Sequence, residues 1–369
     1  MRSALFLGLM SGTSQDGVDA VVLDCSEGRP PRIIAHHAGA YPPALRRDLL
    51  ALAASTTPVS LLDYATLDDA VAKAFAKTAQ TALRNARIPA RRVCALGSHG
   101  QTVFHDPVKA GNSLQLGNPS RIAALTGIDT VADFRRADIA AGGQGAPLVP
   151  AFHKVMFGST GESRAIVNIG GIANITVLPA RGAVTGFDTG PGNALLDEWI
   201  AFQRKQPFDR DGRWAGSGAL NEALLKALLT EPWLQRAPPK STGRDRFNLA
   251  WLRRRYPSLE RLKPADVQRT LAEFTARTVA MALARHAPTA RRVLVCGGGV
   301  QNRFLMSRLA GLAAVPVEST QALGIDPQCV EAAAFAWLAF RAVERRPGNL
   351  PSVTGARRPV VLGGIYPSG

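Results

Sequence analysis

Ser11-Gly12-Thr13-Ser14-Gln15-Asp16-Gly17-Val18-Asp19 gathers glycines, hydroxyls and two acids into one short turn. An apolar run precedes it and another follows at once, an order that reads as strand, tight turn, strand. Glycines let a backbone come close to a ligand, and successive N–H groups with hydroxyls cradle phosphate. An aspartate in such a turn can hold Mg²⁺, directly or through water. The same composition also suits a plain hairpin in which Gly and Asp serve turn geometry. Short Gly-rich motifs are weak signals, so this stretch alone leaves both readings open.

Two further turns of the kind follow apolar strands. Residues 165–178 read as strand, Gly170-Gly171 turn, strand, the shape of the opening hairpin. Val293-Leu294-Val295-Cys296 opens into Gly297-Gly298-Gly299-Val300-Gln301-Asn302, with a helix starting near Arg303. Three such turns are hard to explain by turn chemistry alone. A nucleotide held between two lobes accounts for them: the first turn of each lobe takes the phosphates and the third supports the nucleoside. The candidate contacts are Gly12, Thr13, Ser14, Gln15, Asp16, Gly17, Val18 and Asp19, then Gly170, Gly171 and Asn174, then Gly297, Gly298, Gly299 and Asn302. Asp16, lying in the phosphate turn, is assigned to Mg²⁺ or its water shell. Neither a Walker A loop nor the dinucleotide G-x-G-x-x-G pattern with its later acid is present.

The elements that must position these turns can be read in outline. Residues 30–40 make a third strand. Residues 61–87 set Leu67, Val71, Phe75, Ala79 and Leu83 near helical spacing, and Pro89 ends that helix. Residues 93–97 form a short buried strand that runs into Ser98-His99-Gly100-Gln101-Thr102. Next come a strand at 114–116, a helix at 120–126 with Ser120 as N-cap, a strand at 128–134, an irregular Gly-rich loop at 135–147 and a helix at 148–157. In the second half, Asp188 sits in the Gly/Pro-rich loop Gly186-Phe187-Asp188-Thr189-Gly190-Pro191-Gly192-Asn193. A helix to about residue 204, a polar loop at 209–218, helices at 219–229 and 265–287, and a last helix at 327–345 complete the chain. The echo of the first hairpin about 160 residues later suggests two α/β lobes, each led by a β-hairpin. The lobes would be residues 1–160 and 161–369, divided near Gly158-Ser159-Thr160-Gly161, with the C-terminal helix and tail able to pack back on the first lobe.

Composition bounds the partners. A chain of 369 residues with 46% hydrophobic and 20% charged residues is globular and able to bury a core. The start does not read as a signal peptide and no apolar run is long enough to cross a membrane, so the cytosol is the expected location. The four cysteines, Cys25, Cys94, Cys296 and Cys329, form no C-x-x-C pair and read as buried reduced thiols. A net charge of +16 suggests an anionic partner. The arginines are scattered in pairs, however, with no Lys/Arg block and no nucleic-acid module, which argues for a solvated Arg-rich surface.

On these motifs the chain resembles the anhydro-N-acetylmuramic acid kinases of the actin and hexokinase ATPase superfamily. The matching residues are Gly8-Leu9-Met10-Ser11-Gly12-Thr13-Ser14-x-Asp16-Gly17-Val18-Asp19, Ser98-His99-Gly100-Gln101-Thr102, Asn168-Ile169-Gly170-Gly171-Ile172-Ala173-Asn174, Gly186 to Asn193 and Cys296-Gly297-Gly298-Gly299. They cover almost the whole chain in order. The resemblance implies a two-lobed actin-like ATPase fold of duplicated mixed sheets with a nucleotide cleft, ATP and Mg²⁺, and a homodimer. It implies conversion of 1,6-anhydro-N-acetylmuramic acid into N-acetylmuramic acid 6-phosphate in cell-wall sugar recycling. It places Asp188 as the base on the attacking water, where the bare sequence also allows an Asp serving turn geometry.

Arg135 and Arg136 are candidates to pair with the lactyl carboxylate of such a sugar, or form one more surface pair. His99 and Gln101 are candidates for sugar hydroxyls or the N-acetyl group, against an ordinary satisfied loop histidine. His99, His105 and Asp106 fit no standard metal spacing. Glu331 at the start of the last helix favours the helix dipole, and the resemblance suggests a substrate contact. The competing readings are a kinase of the same superfamily acting on another sugar and an actin-like, nucleotide-switched binding protein.

Overall fold

The computed structural model describes residues 4–12, 15–54, 58–244 and 246–369. The chain forms two compact units, Met1–Met156 with Cys329–Gly369, and Phe157–Gln328. The division thus falls between residues 156 and 157 in place of 160 and 161, and residues 329–369, the helix and tail expected to be able to pack back, group with the first unit.

The first unit contains β1 (Leu5–Met10), β2 (Gly17–Asp24), β3 (Arg32–Ala40), β4 (Val93–Ser98), β5 (Gln101–Asp106), β6 (Asn112–Leu116) and β7 (Thr130–Ala132). The second contains β8 (Ser163–Ile169), β9 (Ile172–Leu178), β10 (Thr185–Pro191), β11 (Ala290–Cys296) and β12 (Val317–Ser319). The chain ends in the first unit with β13 (Gly364–Tyr366).

The sheets run β13-β7-β4-β1-β2-β3 and β10-β9-β8-β11-β12, and β5 pairs with β6 as a separate hairpin. In both units the first three strands are antiparallel, and two more, β4 with β7 and β11 with β12, join parallel on the other side of the first. With β13 set aside, both sheets have the same order, and this is the duplicated α/β architecture.

Burial follows strand position. β1, flanked on both sides, is buried along its whole length, whereas the edge strand β3 alternates exposed and half-buried residues.

The Val330–Val343 helix packs on β1, β2 and β4. Its alanine-rich sequence favours helix and keeps one side narrow. Two strand glycines let it come closer still. A Cβ on Gly8 would lie 1.9 Å from the Ala332 carbonyl oxygen, and one on Gly97 2.1 Å from that of Phe335. Backbone meets backbone there, and this contact is what returns the C-terminal segment to the first unit.

Several local expectations are corrected. The helix expected at 120–126 is Pro119–Thr126, capped by Asn118, whose side chain accepts from Arg121 N at 3.0 Å. Pro119 suits the first helical position because its missing N–H would have no partner there. The strand expected at 128–134 shrinks to β7, because Asp133 turns the chain with a φ of 61°. The first half of the expected 135–147 loop is the helix Phe134–Ala140; Arg, Ala and Ile support helix until Gly142 ends it. Part of the expected 209–218 loop is a short helix, Arg213–Gly216, whose first N–H groups are held by the buried Asp209 carboxylate. Of the cysteines, Cys25, Cys296 and Cys329 are buried free thiols, but Cys94 is exposed at the start of β4. Among the described residues, no helix is long and apolar enough to cross a membrane.

In the second unit, Glu273 on the helix Pro264–His286 is fully buried. Arg308 grips it with two nitrogens at 2.7 and 3.2 Å, and Arg277 bonds it at 3.0 Å. Burial pushes this carboxyl up; the guanidinium bonds outweigh that and hold it below its ordinary value of 4.5. A depressed folded value gives stability that is present above the unfolded value and is lost as pH falls through the folded one. Melting temperature should therefore drop as pH is lowered from about 5 to 3, with a shallower slope in Glu273→Gln. An unchanged slope would exclude Glu273 as a source of the acid sensitivity. Gly97→Ala should lower the urea midpoint by the equivalent of about 1–3 kcal/mol and speed amide exchange along Val330–Val343.

Candidate active site

In the second unit, register aligns the polar residues. Asp188 on β10 stands opposite Asn174 on β9, Asn174 opposite Asn168 on β8, and Asn168 opposite Cys296 on β11. Directly paired residues share a sheet face, so Asn168, Asn174 and Asp188 form one row. The row lies near the carboxyl ends of the parallel pair β8 and β11, the end where open α/β sheets take ligands.

Gly170 and Gly171 turn the chain beside the row. Their carbonyls accept from Asn193 N at 2.8 Å and from Gly192 N at 2.9 Å, which ties the turn to the start of the helix Ala194–Arg204. Gly297 has a φ of 82°, and a Cβ there would meet Asn168 Oδ1 at 2.3 Å, so only glycine fits. Gly298 is exposed with open space around it. Asn302 caps the helix Arg303–Leu312, its Oδ1 accepting from Leu305 N at 2.9 Å. Its carboxamide oxygen is thus committed to the fold.

Asp188 lies within strand β10 and not in a loop, at a register shift between Asp188 and Gly190. The 240–242 segment runs alongside. Asp188 N donates to the Lys240 carbonyl at 3.1 Å, and Asp188 Oδ2 accepts from Thr242 N at 2.8 Å. The half-buried carboxylate is held at both its backbone and its side chain.

In the first unit, the opening turn is braced from within. Ser11 Oγ lies 2.7 Å from both the Gly17 carbonyl and Gln101 Oε1, and Gln101 Nε2 donates to the Gly12 carbonyl at 3.2 Å. Tyr41 N donates to the Asp16 carbonyl at 3.0 Å. Gln101 is therefore a buried strut of the turn. Gln15 is buried at a φ of 52°, and the Asp16 side chain is exposed. Gly17 and Val18 begin β2, with Val18 in the core. Asp19 accepts from His36 Nε2 at 3.0 Å, and bonds to Asp19 and then Cys329 raise His36 to about 10. Thr13 and Ser14 lie outside the described residues.

His99 is buried just after β4. Its Nε2 lies 2.8 Å from an Arg135 nitrogen, and Arg135 also donates to the Gly145 carbonyl at 2.7 Å. A guanidinium only donates, so Nε2 accepts and the proton sits on Nδ1. Burial, and after it the Arg135 charge, push His99 well below its ordinary value, so the ring is neutral. Phe335 packs on that ring at 4.7 Å, and Glu331, half-buried, lies one turn earlier on the same helix. The structure thus groups the opening turn, Gln101, His99 and Arg135. Arg136 is turned to the surface instead, spending its donors on Asn112, the Ser113 carbonyl and Asp133. His105 bonds Ser113, and Asp106 caps the turn of its own hairpin.

Two residues were not singled out from the sequence. Asn168 is 5% exposed, and among the described residues its Oδ1 has no hydrogen-bond partner, in the row with Asp188. The signal was an amide inside an otherwise apolar strand just before Gly170. Asp138 is fully buried and accepts from Gly145 N at 2.8 Å, Asn349 at 2.6 Å and Thr354 at 2.7 Å. It fixes the loop on which Arg135 leans. An acid between Ala137 and Ile139 was its signal, but its partners lie at the far end of the chain.

Two sheets of one strand order carry Gly-rich turns beside acids and amides at strand ends, groups of the kind phosphoryl transfer uses. Comparison with known proteins makes this specific. The family model described as anhydro-N-acetylmuramic acid kinase matches residues 4–368. An anhydro-N-acetylmuramic acid kinase of Xanthomonas campestris pv. campestris is 51% identical, aligning over 100% of this chain and 98% of its own. Those of Bordetella petrii and Pseudomonas paraeruginosa are 52% and 49% identical, covering 99% and 98% of this chain and 96% and 99% of their own. The chain belongs to the anhydro-N-acetylmuramic acid kinase family.

Asp138→Ala would strand three buried donors. It should destabilise the protein by more than about 2 kcal/mol and speed amide exchange at Gly145. Wild-type exchange at Gly145 in the variant would show that Asp138 does not hold this loop.

Proposed function

We propose that the protein uses ATP and water to convert 1,6-anhydro-N-acetylmuramic acid into N-acetylmuramic acid 6-phosphate and ADP, in recycling of cell-wall sugars. The carrying observation is the Asp188 carboxylate, oriented by Thr242 N and aligned with Asn174 and Asn168 beside two glycine turns.

The sugar's O6 is locked in the anhydro bridge. Asp188 takes a proton from a water as that oxygen bonds C1. The C1–O6 bond breaks, and its electron pair stays on O6, which bonds the γ-phosphorus as ADP leaves. No separate acid is needed for O6, because phosphorus captures it. This joins half of an inverting glycosidase to half of a kinase.

The turns at residues 12–19 and at Gly170-Gly171 serve the phosphates, and 297–302 the nucleoside. Asp16 offers an exposed carboxylate oxygen of the hard type Mg²⁺ prefers. Mg²⁺, when bound, neutralises phosphate charge. Arg135, half-buried beside His99, suits the lactyl carboxylate better than the surface Arg136. His99 and Glu331 serve the sugar's polar groups, and Gln101 acts through the turn it braces. A homodimer working in the cytosol completes the reading.

The test is turnover with ATP, Mg²⁺ and the anhydro sugar in ¹⁸O-water. The 6-phosphosugar should carry label at C1, and unlabelled product would remove the coupled hydrolysis. Asp188→Asn should lower kcat about 10²–10⁴-fold with nucleotide affinity intact; loss of that affinity instead would reassign Asp188 to the metal.

A further inference from the structure

The second unit contains a cavity of ≈ 450 Å³ behind the row that carries Asp188, floored by Phe187, Leu234 and Met281. Alternation along β10 turns Phe187 away from Asp188, so this space is separate from the face already described. Its size is in the range of small-molecule sites, roughly 300–1,000 Å³.

The polar wall is basic. Arg236, Lys240, Arg285 and His286 all line the space. Among the described residues, neither Arg236, Lys240 nor Arg285 forms an ion pair. Lys240 is 9% exposed, with its ammonium 4.6 Å from the Trp233 ring centre, 5.7 Å from that of Phe187 and 2.8 Å from the Leu234 carbonyl. The His286 and Phe187 rings meet in a T-shaped arrangement, 4.7 Å between ring centres.

These groups oppose one another. Burial and then Arg285 hold Lys240 below its ordinary value, against the pull of Asp188; burial, Arg285 and Lys240 do the same to His286. A surface arginine on a chain of charge +16 needs no partner. Lys240 is a different case: it is nine-tenths buried, its ammonium between aromatic rings, with the exposed guanidiniums of Arg236 and Arg285 on the same concave wall, and an anion there would offset the repulsion this desolvated charge meets.

We propose that this cavity is a second binding site, for a small anion with a phosphate or carboxylate head and an apolar or ring-shaped body. The head pairs with Arg285, Arg236 and Lys240, and the body lies on Phe187, Leu234 and Met281. Guanidiniums match the two acceptor oxygens of such a head.

The test is calorimetric titration of the full chain with 1-naphthyl phosphate, ADP being present at saturation, and with neutral 1-naphthol as control. One equivalent of the phosphate should bind, about tenfold or more tighter than 1-naphthol. Arg285→Gln should weaken binding about fivefold or more, and Met281→Trp, which fills the cavity, should abolish it. Both variants should keep wild-type turnover without the probe. Absence of saturable binding, equal affinity for 1-naphthol, or wild-type affinity in both variants would overturn the site. So would weaker binding as ADP is raised, which would place the probe in the nucleotide site. Failure of the proposed kinase reaction would appear as lost turnover in the wild type and leave the titration unaffected.

Discussion

The contact between the Val330–Val343 helix and the first sheet is one of backbone on backbone, and most of the first unit's arrangement follows from it. No side chain can stand at Gly8 or Gly97, where a Cβ would lie about 2 Å from helix carbonyl oxygens. Close approach multiplies weak dispersion contacts that are collectively large. Once the helix is seated, Phe335 covers His99. The chain beyond it brings Asn349 and Thr354 to Asp138, which sets the Gly145 loop against Arg135. A steric requirement at two glycines thus reaches His99 and Arg135.

The second unit reaches the same strand order with a different emphasis. Its sheet presents a row of amides ending in one acid, and the acid is held by the 240–242 strap. The two units differ in what they present: a braced turn with an exposed aspartate in one, an oriented carboxylate beside glycine turns in the other. Phosphoryl transfer asks mainly for positioning and charge neutralisation. Groups fixed by backbone bonds, as Asp188 is by Thr242 N, meet the first need with little reorganisation.

Local features were legible in the sequence. Both hairpins, the apolar strands and the long helices follow from periodicity and from Gly and Pro, because hydrophobic patterning and backbone freedom act over a few residues. The features that were not legible depend on distant partners. The bulged ladder that places Asp188 in a strand depends on Asn174 and on the 240–242 segment. Gln101 read as a ligand for sugar, and only the neighbouring Ser11 and Gly12 show it as a strut. The helix at 134–140 was hidden by the glycines just after it, which gave the whole stretch the composition of a loop. Asp138 needed residues more than 200 positions away to acquire a meaning.

Since the second unit is a continuous insertion and residues 329–369 close the first, synthesis delivers the parts in an awkward order. Strands β1 to β7 leave the ribosome first, yet the face of Gly8 and Gly97 stays uncovered while some 170 residues of the other unit are made. Domains generally fold as units while the chain emerges. The part begun first is therefore finished last, and an apolar sheet surface is exposed throughout that interval. A stop codon just after residue 328 would leave the second unit whole and the first without its covering helix, prone to pair with any apolar surface it meets.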